Sequence, residues 1–96
     1  MSQPFGTGVC EEVLDELHRA RRLHKQGKFP KTIGMCDNFE ALSVLTEEVG
    51  EAAHEVNESI GKPYDKEREM RLRTELIQVA AMAIGWVLRI DFGDGA

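Results

Sequence analysis

Hydrophobic residues recur along the first part of the chain at the spacing of an α-helix. Val13, Leu17 and Ala20 line one face of a segment whose acidic residues gather at its start and whose basic residues gather at its end. That order of charges complements the helix dipole, and Gly27 is a common type of residue for ending a helix. The pattern predicts a first helix over residues 9–26.

Two further helices are predicted from the same kind of evidence. Asp37 or Asn38 can cap a second helix that runs to about Ile60, where a Gly-Lys-Pro sequence ends it. A last helix is predicted from near Asp65 to about Ile90. Its first turns are highly charged, whereas its second half is apolar on almost every side.

A helical wheel predicts which side chains of the last two helices form the core. Residues that recur every three or four positions share one face of a helix, so they are expected to be buried together. The expected core residues are Leu45, Val49, Ala52 and Val56 on the second helix and Leu76, Ala80, Ala83 and Val87 on the last.

The apolar half of the last helix also bears on assembly. A helix without a polar face must be covered on every side, and two other helices of a 96-residue chain provide too little cover. We therefore expect an all-α, antiparallel bundle of long helices that is completed by homo-oligomerisation, as a homodimer or homotetramer. The expected single domain covers residues 9–91, between a flexible N-terminal tail at 1–8 and a loose C-terminal tail at 92–96.

Composition narrows the class of protein. A net charge of −5 argues against a nucleic-acid binder, because a phosphate backbone requires a positive face. The apolar run 79–90 is too short to cross a bilayer, and the first eight residues lack the features of a signal peptide. Cys10 and Cys36 are expected to be free thiols. A cytoplasmic protein without a membrane or nucleic-acid partner is expected.

Carboxylates on two neighbouring helices are the strongest chemical signal. Glu48, Glu51 and Glu55 occupy one flank of the second helix, and no Lys or Arg lies between positions 46 and 59 to relieve their repulsion. Glu75 precedes the apolar half of the last helix. Antiparallel packing would bring it toward Glu48 and Glu51, in an all-oxygen cage that suits Mg²⁺ better than zinc. The alternative is a solvated acidic face with ordinary salt bridges.

Two short motifs that contain these carboxylates resemble a known family. The segments Leu45–Glu51 (LTEEVGE) and Glu75–Gln78 (ELIQ) are similar to the all-α nucleoside triphosphate pyrophosphohydrolases, the MazG-like group. That family carries EExxE on one helix and ExxD on the next, and together they bind Mg²⁺. The resemblance covers roughly residues 41–90. It implies hydrolysis of a (deoxy)nucleoside triphosphate to a monophosphate and pyrophosphate, as house-cleaning of the nucleotide pool, with Mn²⁺ a possible substitute for Mg²⁺.

The resemblance also implies roles for individual residues. Glu48, Glu51 and Glu75 correspond to metal ligands, and Glu47 to a further ligand or a residue that positions water, so that Glu47 and Glu48 are the catalytic candidates. Gln78 stands where the family usually has Asp. Its amide oxygen can ligate Mg²⁺, but it brings no charge and cannot act as a base. This departure favours the alternative function, a non-catalytic helical oligomer of the same fold that binds a nucleotide or a partner protein.

Three further residues are candidates for binding the substrate. Lys28 and Lys31 lie in the loop after the first helix, where their charge could contact the triphosphate. Trp86 shares a flank with Glu75 and could stack on a base, although a core or interface role is the stronger expectation for it.

Overall fold

The computed structural model describes residues 7–25 and 37–93, and nearly all of them lie in three α-helices. Helix α1 spans Thr7–Lys25, α2 spans Asn38–Ser59 and α3 spans Lys66–Phe92. No residue in these two ranges belongs to a strand, so the all-α prediction is confirmed. None of the three helices combines the length and hydropathy that a bilayer span requires, among the residues described.

Local hydrogen bonds explain where α2 and α3 begin and end. The Asp37 carboxylate accepts a 2.8 Å bond from the backbone N–H of Glu40 at the start of α2. Asp65 does the same for the start of α3, accepting from the N–H groups of Glu67 and Arg68. Gly93 follows α3 at a φ of 86°, a conformation that favours glycine. These signals are local in sequence, which is why the predicted boundaries lie close to the observed ones.

Helix α3 lies between the other two helices and packs against both of them. Val13 and Leu17 of α1 form a buried cluster with Ala81 of α3, and partly buried side chains of α3 surround it. Within the described ranges, α1 and α2 make no packed helix–helix contact with each other. The positions of α1 and α2 are therefore set by different parts of the α3 surface.

A second contact region joins the start of α2 to the end of α3. Ala41 is fully buried against Met82 and Trp86. The indole Nε1 of Trp86 donates a 3.0 Å bond to Asn38 Oδ1, and the Arg89 guanidinium donates to the same oxygen. These contacts hold the two helices antiparallel, because the first residues of α2 meet the last turns of α3.

Several predicted core residues are exposed in the single chain. Val49 and Val56 of α2, and Leu76 and Val87 of α3, are between 47% and 54% exposed. The prediction that they fill the chain's own core is wrong, because α2 and α3 meet through neighbouring faces instead. Of the expected α2 core residues, Ala52 is the one that is buried, at 7% exposure.

Helical spacing places these exposed apolar residues of α2 and α3 on one side of the hairpin. Viewed along the axis of each helix, the exposed apolar residues lie about 100° around from the side that contacts the other helix. The rotation from the contact side to the apolar side has the same direction in α2 and in α3. Because the helices are antiparallel, both stripes come to the same side of the hairpin. We call this surface the apolar face; its main residues are Leu42, Val49, Val56, Leu76, Val87 and Ile90.

Candidate metal centre

Three carboxylates converge where α2 crosses α3. Glu48 and Glu51 come from neighbouring turns of α2, and Glu75 comes from the middle of α3. One oxygen of each lies within 4.8 Å of the others. Glu48 and Glu75 are partly buried, whereas Glu51 is exposed. The antiparallel pairing of α2 and α3 therefore brings together the three residues that the sequence places on adjacent flanks.

Gln78 joins two of these carboxylates through its amide nitrogen. The hydrogen-bond network orients the amide so that its nitrogen donates 3.1 Å bonds to Glu75 Oε2 and to Glu48 Oε2. The amide oxygen, which would be the metal ligand, then points away from the cluster. In this arrangement Gln78 acts as a neutral donor that holds two like charges together.

Glu75 is the carboxylate that its surroundings affect most. Its pKa is raised from the usual 4.5 to about 7, first by burial and then by a hydrogen bond with Glu51. The charges of Glu51, Glu48 and Glu55 act in the same direction. The folded cluster therefore favours a proton on its carboxylates, and a bound cation would compete with that proton.

Glu48 is shifted in the same direction. Burial is again the main cause that raises the pKa of Glu48, followed by the charges of Glu51, Glu16 and Glu47. The guanidinium of Arg19 on α1 acts in the opposite sense and lowers that pKa. Helix α1 therefore lies within electrostatic reach of the cluster, although it contributes no carboxylate to it.

The donor set fits a hard divalent cation. The cluster offers oxygen atoms from carboxylates and no sulfur or imidazole ligand among the described residues. Mg²⁺ binds oxygens at about 2.1 Å, so ligands on opposite sides of it stand about 4.2 Å apart. Oxygens that already lie within 4.8 Å of one another need only a small closing movement to share such an ion.

An open cleft of about 440 Å³ lies over the acidic side of α2 and reaches the cluster. It is lined by Glu47, Gly50, Glu51, His54, Glu55 and Glu75. A side chain added at Gly50 would meet nothing within 4 Å. Glu47 is exposed at the edge of this cleft. His54 faces Glu58 at 3.7 Å on the outer surface of α2, so it lies on the rim rather than in the cluster.

The predicted substrate-binding residues are not brought to the cluster by any described contact. Lys28 and Lys31 fall outside the described residues. Trp86 lies eleven residues beyond Glu75 on α3, which corresponds to roughly 16 Å of helix. Its indole packs against Ala41 and bonds Asn38, so the contact it makes within the chain is structural, which is the stronger of the two expectations for it.

Two residues of α1, Glu16 and Arg19, act on the cluster although the carboxylate motifs do not predict them. Helix stability is a sufficient explanation for their charges in the sequence, yet both influence the pKa of Glu48 in the structure. Both lie on the flank of the Val13–Leu17 stripe, so the wheel argument that selects the α2 carboxylates would also select them on α1.

Comparison with known proteins identifies no relative of this chain. No protein-family model, curated protein or solved structure matches it. The resemblance to the MazG-like group therefore stays a prediction, supported by two short motifs whose carboxylates converge.

Proposed function

We propose that the protein is a Mg²⁺-dependent nucleoside triphosphate pyrophosphohydrolase, which converts a (deoxy)nucleoside triphosphate to its monophosphate and pyrophosphate. The observation that carries the proposal is the convergence of Glu48, Glu51 and Glu75, from two helices, to within 4.8 Å at an open cleft. Like charges this close repel one another, and a bound divalent cation would relieve that repulsion, which supports a cation site.

Each residue of the cluster has a separate task in this proposal. Glu48, Glu51 and Glu75 would hold Mg²⁺, or Mn²⁺ in its place. When bound, the cation would neutralise phosphate charge and lower the pKa of an attacking water. Glu47, exposed at the edge of the cleft, would orient that water and accept its proton. Gln78 would keep Glu48 and Glu75 near each other through its two 3.1 Å bonds.

A pyrophosphate-release screen tests the proposal. The purified protein is incubated with each of the eight common NTPs and dNTPs plus Mg²⁺, and Mg²⁺-dependent turnover of at least one is expected. Glu48→Gln and Glu75→Gln should each abolish it, because both remove a charged ligand and keep the shape. Glu58→Gln is the matched control, since Glu58 pairs with Lys62 on the exposed end of α2. Full activity in both cluster variants would remove the proposed site.

The second candidate function is nucleotide binding without hydrolysis. It is favoured by Gln78, whose amide keeps Glu48 and Glu75 together with no need for an ion and supplies no base. Calorimetric binding of a nucleotide with no pyrophosphate release from any of the eight substrates would select this candidate over the enzyme.

We also propose that a second copy of the chain covers the apolar face. Residues on this face are about half exposed and line one side of the α2–α3 hairpin, and an isologous pair would bury both copies of the face at once. Val87→Glu on this face should convert the oligomer to a monomer in light scattering coupled to gel filtration. Val9→Glu, on α1 and also about half exposed, is the control and should leave the mass unchanged. A monomeric wild-type protein at micromolar concentration would refute the pairing.

A further inference from the structure

The amide of Gln78 bridges the two partly buried carboxylates of the cluster. Its nitrogen donates 3.1 Å bonds to Oε2 of Glu75, which lies one turn earlier on α3, and to Oε2 of Glu48 on α2. Gln78 is itself partly buried. The amide therefore contacts two of the three carboxylates that would share a cation, one from each helix.

A side-chain amide differs from a carboxylate because its two ends are unlike. The NH2 group of an amide donates hydrogen bonds and does not bind a metal, whereas the amide oxygen can ligate a hard cation. A half-turn about the Cγ–Cδ bond exchanges the nitrogen and the oxygen, because this torsion has broad, roughly two-fold wells. Gln78 can thus present either end to Glu48 and Glu75 without movement of a helix.

The presence or absence of a cation decides which end of the amide is favoured. Without a cation, ionised Glu48 and Glu75 favour the NH2 end, because each of them accepts a hydrogen bond from it. With a divalent cation in the cluster, the same carboxylate oxygens are engaged as ligands. The charge of the cation then repels the positive NH2 end and attracts the amide oxygen. Electrostatics therefore favours opposite orientations of Gln78 in the empty and the filled cluster.

We propose that Gln78 is a cation-responsive residue whose amide turns over when the cluster is filled. It donates to Glu48 and Glu75 in the cation-free protein, and it offers its oxygen as a fourth ligand in the loaded protein. The inference rests on the proposed function, because that function requires the divalent cation. It adds regulation of the same site, since the two bonds of the amide compete with cation binding.

An acidic residue at position 78 removes this competition. Gln78→Glu keeps the length of the side chain and presents an oxygen in either orientation, so no donor has to turn away. The variant should bind Mg²⁺ at least about tenfold tighter than wild type in calorimetric titration, the factor expected for one hydrogen bond to a charged group. Its added negative charge acts in the same direction. Equal or weaker affinity would contradict the competition.

Nuclear magnetic resonance of the side-chain amides tests the turn in the wild-type protein. Mg²⁺ is added at fixed pH and ionic strength, and the Gln78 signals are identified by their loss in Gln78→Glu. At saturation the NH2 protons should shift upfield, because their bonds to the carboxylates are lost. The Cδ signal should shift downfield, because a cation polarises the carbonyl that it contacts.

The side-chain amide of Asn38 is the matched control. Asn38 lies ten residues before Glu48 on α2, which corresponds to roughly 15 Å of helix. Its Oδ1 already accepts bonds from Trp86 and Arg89, outside the cluster. The Asn38 signals should therefore stay in place while those of Gln78 move.

The outcomes separate the turn of the amide from the cation centre, when the melting temperature of the same samples is measured with and without Mg²⁺. A rise in melting temperature with unchanged Gln78 signals would overturn the turn and leave the proposed function standing. A shift of the NH2 protons without a shift of Cδ would overturn the role of Gln78 as a ligand. No response of the melting temperature or of Gln78 would overturn the inference and also count against the proposed function.

Discussion

Replacing Glu75 by Gln should stabilise the protein when no divalent cation is present. Glu75 has a pKa of about 7 in the folded chain, against 4.5 for an ordinary glutamate, so the folded state binds its proton more tightly than the unfolded state. The stability that this proton provides is complete below about pH 4.5 and is lost as the pH rises through 7. Above pH 7 the wild-type protein carries the full penalty of an ionised Glu75, and the variant does not.

The free-energy penalty of an ionised Glu75 can be obtained in two ways, from its pKa shift and from the distances to its charged neighbours. Moving the pKa from 4.5 to about 7 corresponds to about 3.4 kcal/mol, and solvent around this partly exposed cluster reduces that to about 1–2 kcal/mol. Two charges about 5 Å apart repel by about 0.8 kcal/mol in water, and Glu75 has two such neighbours in Glu48 and Glu51. Both routes predict that Glu75→Gln gains about 1–2 kcal/mol at pH 8 and almost nothing at pH 4.

Chemical denaturation at fixed protein concentration, at pH 4 and at pH 8 in the presence of EDTA, measures this difference. Glu69→Gln is the control, because Glu69 is an exposed glutamate of α3 outside the cluster. Adding Mg²⁺ at pH 8 should then raise the stability of the wild-type protein and of Glu69→Gln, but not that of Glu75→Gln. A Glu75→Gln variant that is less stable than wild type at pH 8 without cation would refute the electrostatic reasoning.

The remaining predictions concern the cluster, the core and a helix cap. Gln78→Asp removes the hydrogen-bond donor between Glu48 and Glu75, so it should lower the melting temperature in the absence of cation. It should also enlarge the increase in melting temperature that Mg²⁺ causes, and an unchanged increase would contradict this. Leu17→Ala should cost about 2–4 kcal/mol in urea denaturation, because Leu17 is 5% exposed against α3. Asp65→Ala should cost about 1 kcal/mol in the same assay through the lost cap of α3, and no loss would mean that water replaces the cap.

Much of the local architecture can be predicted from the amino-acid sequence. Asp37, Asp65 and Gly93 mark helix boundaries through bonds to residues a few positions away, so their effect does not depend on the fold. Glu48 and Glu51 are about one turn apart on any helix. Their meeting with Glu75 requires only that two helices joined by a short connection pack antiparallel.

The faces that the helices bury cannot be predicted in the same way. A wheel gives the direction of each apolar stripe, yet Val49 and Leu76, which belong to the stripes of α2 and α3, lie on the exposed side of the hairpin. Which of several apolar directions meets a neighbour depends on how all three helices fit together. Ala41 and Ala81, small residues that allow close approach, are fully buried where helices meet.

Three helices, their ends and the two acidic segments are thus specified locally, because caps, periodicity and turn residues act over a few neighbouring positions. The packing of the helices adds what no local pattern encodes. It directs the Gln78 amide to Glu48 and Glu75, brings the charge of Arg19 of α1 within electrostatic reach of Glu48, and leaves one side of the hairpin apolar and exposed. The physical reason is that these features depend on side chains far apart in the sequence, or on an amide whose orientation its partners set.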